Sequence, residues 1–114
     1  MNKMEAVKCE IEYDEGILIV RPSGEIDHHS ARPLREEIDT ALYLYRPSTV
    51  IIDLAGIGFM DSSGLGLILG RYAKAKDLGG RLIIANPSVS VERILNLAGT
   101  HKLITIKKNE VIKK

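Results

Sequence analysis

Three things are scarce in this sequence, and each scarcity excludes something. Cys9 is the single cysteine among 114 residues, so no disulfide can close within the chain and no thiolate zinc cluster can be assembled. A reducing compartment is expected. Long apolar runs are missing as well. Nothing approaches the length of a membrane span, and the opening stretch, MNKMEAVKCEIEYDEG, has no unbroken apolar core of the kind a secretory signal needs. The expectation is a cytoplasmic protein with no membrane partner. Charge of one sign is the third scarcity. Lys and Arg number 16 against 15 Asp and Glu, for a net charge of +1. That excess is too small and too scattered for a phosphate-backbone footprint, which argues against nucleic acid as a direct partner. Lys107, Lys108, Lys113 and Lys114 form a weakly basic tail that reads as a solvated end.

What is present describes an ordinary globular chain, 45% apolar and 27% charged, of a length that suits one domain with one core. Residues 9–13 and 17–21 predict two strands joined by a hairpin turn around Asp14, Glu15 and Gly16. Pro22, Ser23 and Gly24 then break the pattern. Apolar residues at Ala31, Leu34, Ile38, Ala41, Leu42 and Tyr45 predict a helix, with Ser30 as its N-cap, Pro33 in its first turn and Arg46 and Pro47 at its end. TVIIDL, residues 49–54, lacks polar alternation and suits a strand buried on both faces at the centre of a sheet. AGIGFMD is a connection, after which Leu65, Ile68, Leu69, Tyr72 and Ala73 mark the inner face of a second helix running to Gly79 and Gly80. RLIIAN predicts another buried strand. Asn86, Pro87 and Ser88 introduce a short third helix with Val91, Ile94, Leu95 and Ala98 inward, and LITIK, residues 103–107, predicts a last strand. The expected fold is a single α/β domain over 1–114, with a mixed, mostly parallel sheet and helices packed against it. Right-handed crossovers then gather three strand-to-helix loops, GEIDHHS, GFMDSSG and NPSVS, at one edge.

The stretch FMDSSGLGLILGRY, residues 59–72, carries the most chemistry. Asp61, Ser62 and Ser63 start the second helix, where unpaired N–H groups and the positive end of the dipole favour anions. A cap explains one hydroxyl. It does not explain Gly64 and Gly66, each costing about 1 kcal/mol against alanine inside a helix, so close approach or packing is required there. GLGLILG departs from the dinucleotide fingerprint: its third glycine is one position late, and the motif as a whole stands in the wrong βα unit. Ser62 or Ser63 as nucleophile, His28 or His29 as base and Asp27 or Asp61 as orienter supply the residue types of a serine hydrolase, but DSSGL is not the G-x-S-x-G elbow. His28, His29 and His101 lack the spacing of metal ligands. A further reading is a phosphorylation switch, in which a serine at a helix start is modified and read by a partner.

FMDSSGLG after a buried strand, with GEIDHHS upstream, resembles the STAS family of anti-sigma factor antagonists over nearly the whole chain. The double histidine and the ILGRY continuation bring it nearest the sporulation branch of that family. The resemblance implies a regulatory protein that is not an enzyme. In its unphosphorylated form such a protein binds an anti-sigma factor that is also a serine kinase, and so releases a sporulation sigma factor. The acceptor carries over to Ser62, the first serine after the motif aspartate, and a serine phosphatase reverses the modification. No cofactor or metal is implied for the chain itself, ATP being used by the partner kinase. By the same match Asp27 lies beside the acceptor, while Asp61, Ser63, Gly64 and Leu65 belong to the docking surface. The departures are the residues through Val7 and the short lysine-ending tail, where related proteins carry a fuller final helix. The alternatives are an antagonist in a general stress pathway, sharing fold and serine but answering to another kinase, and, from a different class, a small serine hydrolase.

Overall fold

The computed structural model of the chain describes residues 7–111. β1, Val7–Asp14, and β2, Ile17–Ile26, form an antiparallel hairpin in register from Asp14↔Ile17 to Val7↔Gly24. The two linking residues, Glu15 and Gly16, both have positive φ, 50° and 86°, the backbone of the tight turn whose twist matches paired strands. α1, His28–Tyr45, leads to β3, Thr49–Asp53, and then to β4, Gly56–Met60. α2, Ser62–Asp77, β5, Arg81–Ala85, and α3, Val89–Leu97, follow. A 3₁₀ turn at Thr100–Lys102 precedes the two-residue strand β6, Ile106–Lys107. The sheet order is β1-β2-β3-β5-β6, with β4 also paired to β2, and every pairing except β1/β2 is parallel. The expected mixed, mostly parallel α/β fold is what the chain adopts, with β3 at its centre.

The main difference lies in β2. It does not stop at Arg21 but runs ten residues through Pro22, Ser23 and Gly24 to Ile26. Its first half pairs with β3, Ile17↔Thr49 to Val20↔Ile52, and its second half with β4, Ser23↔Gly56 to Ile26↔Met60. Pro22 falls in the gap between these two ladders, so its missing N–H interrupts neither of them. The register shifts between Gly24 and Glu25, which pair with Ile57 and Phe59 and leave Gly58 as the extra residue of a bulge. AGIGFMD therefore contains a strand and is not a bare connection. Two glycines in five residues hide that strand from any propensity reading, whereas Ile57 and Met60 are each 1% exposed and sit in the core.

Three helical expectations also shift. The N-cap of α1 is Asp27, and Ser30 is the third helical residue, its reciprocal partner in a capping box. Pro33 consequently sits in the second turn, inside the helix. In α2 the buried residues are Gly64, Leu67, Ile68, Arg71 and Ala75, while Leu69 and Ala73 face solvent and Leu65 and Tyr72 are half-buried at the flank. Glycine has no hydropathy to announce that it faces inward, so the apolar pattern alone rotates the helix wrongly. LITIK gives only Ile106 and Lys107 to the sheet, because the N–H groups of Leu103 and Ile104 turn back to the Thr100 carbonyl at the end of the 3₁₀ turn. Cys9 is half-buried. Burial, aided by Glu37 and Glu10, pushes its thiol up to about 12 and keeps it protonated.

The core joins Leu18, Val20, Ile26, Leu34, Ile38, Leu42, Ile52, Leu54, Ile57, Met60, Ile68, Ile84 and Leu95 into one cluster. Because β4 contributes two fully buried side chains to it, Ile57→Ala is expected to destabilise the domain by about 2–5 kcal/mol, the range for emptying a large aliphatic site. Urea denaturation checks this, and a loss below about 1 kcal/mol contradicts β4 as a core strand.

Candidate functional site

Parallel pairing places the ends of β2 and β4 side by side, and the backbone N–H of Asp61 donates to the carbonyl of Ile26 at 3.2 Å. Asp27 and Asp61 follow those two strand ends directly. Each is extended, and each caps a helix: Asp27 Oδ1 accepts from the N–H groups of His29 at 2.9 Å and Ser30 at 3.0 Å, and Asp61 Oδ1 accepts from the N–H of Ser63 at 2.8 Å. The N-termini of α1 and α2, with their unpaired donors and positive dipole ends, therefore open at one edge of the sheet. Ser30 completes the first cap. Its hydroxyl accepts from the Asp27 N–H at 2.9 Å and donates to the Glu25 carbonyl at 2.8 Å, and the side chain is buried. The Ser30 N–H above all, then the His29 N–H and the Ser30 hydroxyl, hold the Asp27 carboxyl below the usual aspartate value, against a smaller opposing effect of desolvation.

Ser62 is the first residue of α2 and is exposed, and its hydroxyl has no hydrogen-bond partner among the described residues. Ser63 is half-buried and lines an open groove between α1 and α2. Gly64 is different. It is buried, and a Cβ there meets Met60 Cγ and Ile26 Cγ2, so packing inside the domain accounts for this glycine. Leu65 is half-buried against the core. Gly66 and Gly70 have nothing within 4 Å of an added Cβ, and both line the groove. Phe59, 48% exposed on β4 just before Asp61, adds an apolar surface that the sequence pattern did not single out. The groove also recruits Arg32 and Arg35 from α1 and the buried Arg71 from α2. No local motif marks them as neighbours; only the packing of α1 on α2 makes them so.

The third expected loop opens at the same sheet edge, because β5 runs parallel to β3, but none of its residues lines the groove. Asn86, with φ 58°, clamps the C-terminal segment: its side chain accepts from the Glu110 N–H at 2.7 Å and donates to the Glu110 carbonyl at 2.9 Å. The hydrolase arrangement finds no support either. Both aspartates are engaged as caps, and among the described residues no hydrogen bond links His28 or His29 to Ser62 or Ser63. The two imidazoles pack edge to face with centroids 5.4 Å apart. Among the described residues no group of three or more His, Cys, Asp or Glu could hold a metal, and no helix is long and apolar enough to cross a membrane.

The STAS domain family matches residues 8–111 of the chain. The Anti-sigma F factor antagonist of Paenibacillus polymyxa is 39% identical over 105 residues, which cover 92% of this chain and 90% of that protein. The Anti-sigma-B factor antagonist of Bacillus subtilis (strain 168) is 30% identical over 100 residues, covering 88% and 90%. The fold is similar to that of the anti-sigma factor antagonist SpoIIAA in its unphosphorylated form, with a TM-score of 0.76, 31% identity and 90% of each chain covered. It is similar as well to the phosphorylated form of SpoIIAA, a Bacillus cell fate determinant, with a TM-score of 0.70, 30% identity and 90% and 93% covered.

Two outcomes follow from the local geometry. Gly64→Ala is expected to lower stability by about 1–3 kcal/mol through overpacking, whereas Gly66→Ala raises it by up to about 1 kcal/mol by removing a helix-interior glycine. Thermal melts of the two variants check the contrast, and equal effects contradict the assigned packing. The Asp27 carboxyl titrates lower in the folded chain than in the unfolded one, so its contribution is full above the ordinary aspartate value and is lost as the pH falls through the folded value. Asp27→Asn keeps a capping oxygen but does not titrate. The stability advantage of the parent over this variant is therefore expected to shrink between about pH 5 and pH 2, read as the difference in Tm. A constant difference across that range overturns the assignment.

Proposed function

The chain belongs to the STAS domain family, and from that membership we propose that it is an anti-sigma factor antagonist whose unphosphorylated form binds an anti-sigma factor. It is a regulatory binding protein and not an enzyme. The partner is an anti-sigma factor serine kinase that spends ATP on Ser62, a serine phosphatase restores the free hydroxyl, and binding releases a sporulation sigma factor. Greater identity to the antagonist of an anti-sigma F factor than to that of an anti-sigma-B factor, 39% against 30%, supports the sporulation pathway over general stress.

The observation that carries this reading is the state of Ser62. It stands exposed and unbonded at the first position of α2, where a kinase can reach it, and the half-buried Ser63 beside it is less accessible. A phosphate there adds roughly −1.5 to −2 charges. The helix N-terminus favours that charge within the free protein, and the Asp27 and Asp61 carboxylates oppose it, so the two effects partly offset and the fold survives. At a docking interface no such offset exists. Turning a binding balance from 1:99 to 99:1 takes about 5.5 kcal/mol, and burying an unpartnered phosphate supplies several kcal/mol of it. The mechanism is thus local occlusion of the docking surface, a reading supported by the likeness of this chain to SpoIIAA in both of its forms.

Ser62→Ala is expected to bind a partner anti-sigma factor kinase as tightly as the parent does and to take no phosphate from it in ATP. Ser63→Ala is still phosphorylated, and Ser62→Asp loses affinity by roughly tenfold or more, the order expected for a charge forced into an interface. Peptide mass mapping and binding calorimetry decide. Phosphate on Ser63 with Ser62 unmodified refutes the acceptor, and absence of any binding by the parent refutes the function.

A further inference from the structure

We propose that the groove between α1 and α2 is a second part of the docking surface and receives an acidic segment of the anti-sigma factor, recognised by Arg32 and Arg35. This inference rests on the function proposed above and adds to it a named surface and the charge of what it takes.

The groove is open and has a volume of about 810 Å³. Its α2 wall is built from Ser63, Gly66 and Gly70, spaced three and four residues apart and so aligned on one helix face. Gly66 and Gly70 face nothing within 4 Å of where a Cβ would project. Unlike Gly64, they are not explained by packing inside the domain, and their bare backbone admits another chain to close range. The α1 wall is basic. Arg35 has no carboxylate partner within ion-pair distance among the described residues, and Arg32 meets only Glu36, at 4.0 Å with both side chains largely in solvent, a pair that contributes little. At the groove floor Arg71 Nε lies 2.9 Å from Asp39 Oδ1. The Arg71 guanidinium is 7% exposed, and burial lowers its pKa, with Asp39 opposing that effect and the Arg35 charge reinforcing it. Three guanidiniums thus line one groove, and of them only that of Arg71 is held close by a carboxylate, Asp39.

The whole chain carries a net charge of only +1, so this is a local concentration of positive charge and not a consequence of composition. Ser63 belongs both to the groove and to the start of α2, which makes the groove continuous with the surface around Ser62. A partner seated on the α2 N-terminus extends naturally along it. The complementary occupant of a basic trough with a glycine wall is a backbone segment carrying Asp or Glu side chains.

The test measures binding of the anti-sigma factor kinase used to test the proposed function to the parent, to Arg32→Glu/Arg35→Glu, to the milder Arg35→Gln, and to Arg93→Glu. Arg93 is exposed on α3, away from the groove. Each variant is first confirmed to melt like the parent. The double variant is expected to lose on the order of tenfold or more in affinity and to show a flatter dependence on salt, and Arg35→Gln a smaller loss in the same direction, while Arg93→Glu stays within about twofold. If Ser62→Asp abolishes binding but both groove variants bind like the parent, the groove is not part of the interface and the proposed function stands. Equal losses in the double variant and Arg93→Glu reduce the effect to net charge and also overturn the inference. Failure of the parent itself to bind overturns the proposed function and this inference with it. Binding of labelled duplex DNA by the parent that disappears in the double variant assigns the groove to a different partner.

Discussion

The organisation of the molecule depends on one strand being long enough to serve two neighbours. β2 spans ten residues and pairs with β3 along its first half and β4 along its second. The second pairing ends at Ile26↔Met60, and everything at the functional edge is referenced to it. The Asp61 N–H bonds the Ile26 carbonyl, Asp27 and Asp61 emerge beside each other as N-caps, and Gly64 lets α2 settle onto the side chains of Met60 and Ile26. Move that register by one residue and the inward and outward faces of β4 exchange, exposing Ile57 and Met60 and carrying Ser62 to another place.

Electrostatically, the edge is balanced for a switch. Two helix N-termini and the arginines of α1 supply positive potential, and two capping carboxylates are already committed to backbone N–H groups. On the proposed function, a phosphate added at Ser62 is favoured in the free protein by the helix end. The same charge pressed against a second protein loses its water without gaining a partner. On that proposal, stability of the fold and loss of binding are governed by different surroundings of one side chain, and the domain changes partners without refolding.

The glycines of the motif divide along the same line. Gly64 belongs to the interior and answers to Met60, whereas Gly66 and Gly70 belong to the surface and leave room above it. In the sequence they are indistinguishable, all three being glycines on one helix that ordinarily disfavours them. Only the direction in which each missing Cβ would point separates a packing requirement from an open approach.

Much of the fold was legible because it is written in periodicity and punctuation. The turn at Glu15 and Gly16, the β-branched runs in β3 and β5, the break at Asn86, Pro87 and Ser88 before α3 and the apolar spacing of α1 are local signals backed by local physics, and the sequence by itself determined them together with the α/β class. The start of α2 and its exposed Ser62 were legible for the same reason, since a helix start advertises itself in adjacent residues. The tertiary structure alone decided the rest. β4 is a strand because β2 offers it an edge, despite two glycines of its own. α2 turns Arg71 inward and Leu69 outward because contact with Met60 and Asp39 outweighs the hydropathy of the helix taken alone. Arg71 lines one groove with Arg32 and Arg35, nearly forty residues before it in sequence, because α1 and α2 pack on a common sheet. Periodicity describes what a segment prefers in isolation; pairing and packing join segments that share no local signal, and no reading along the chain can add those energies.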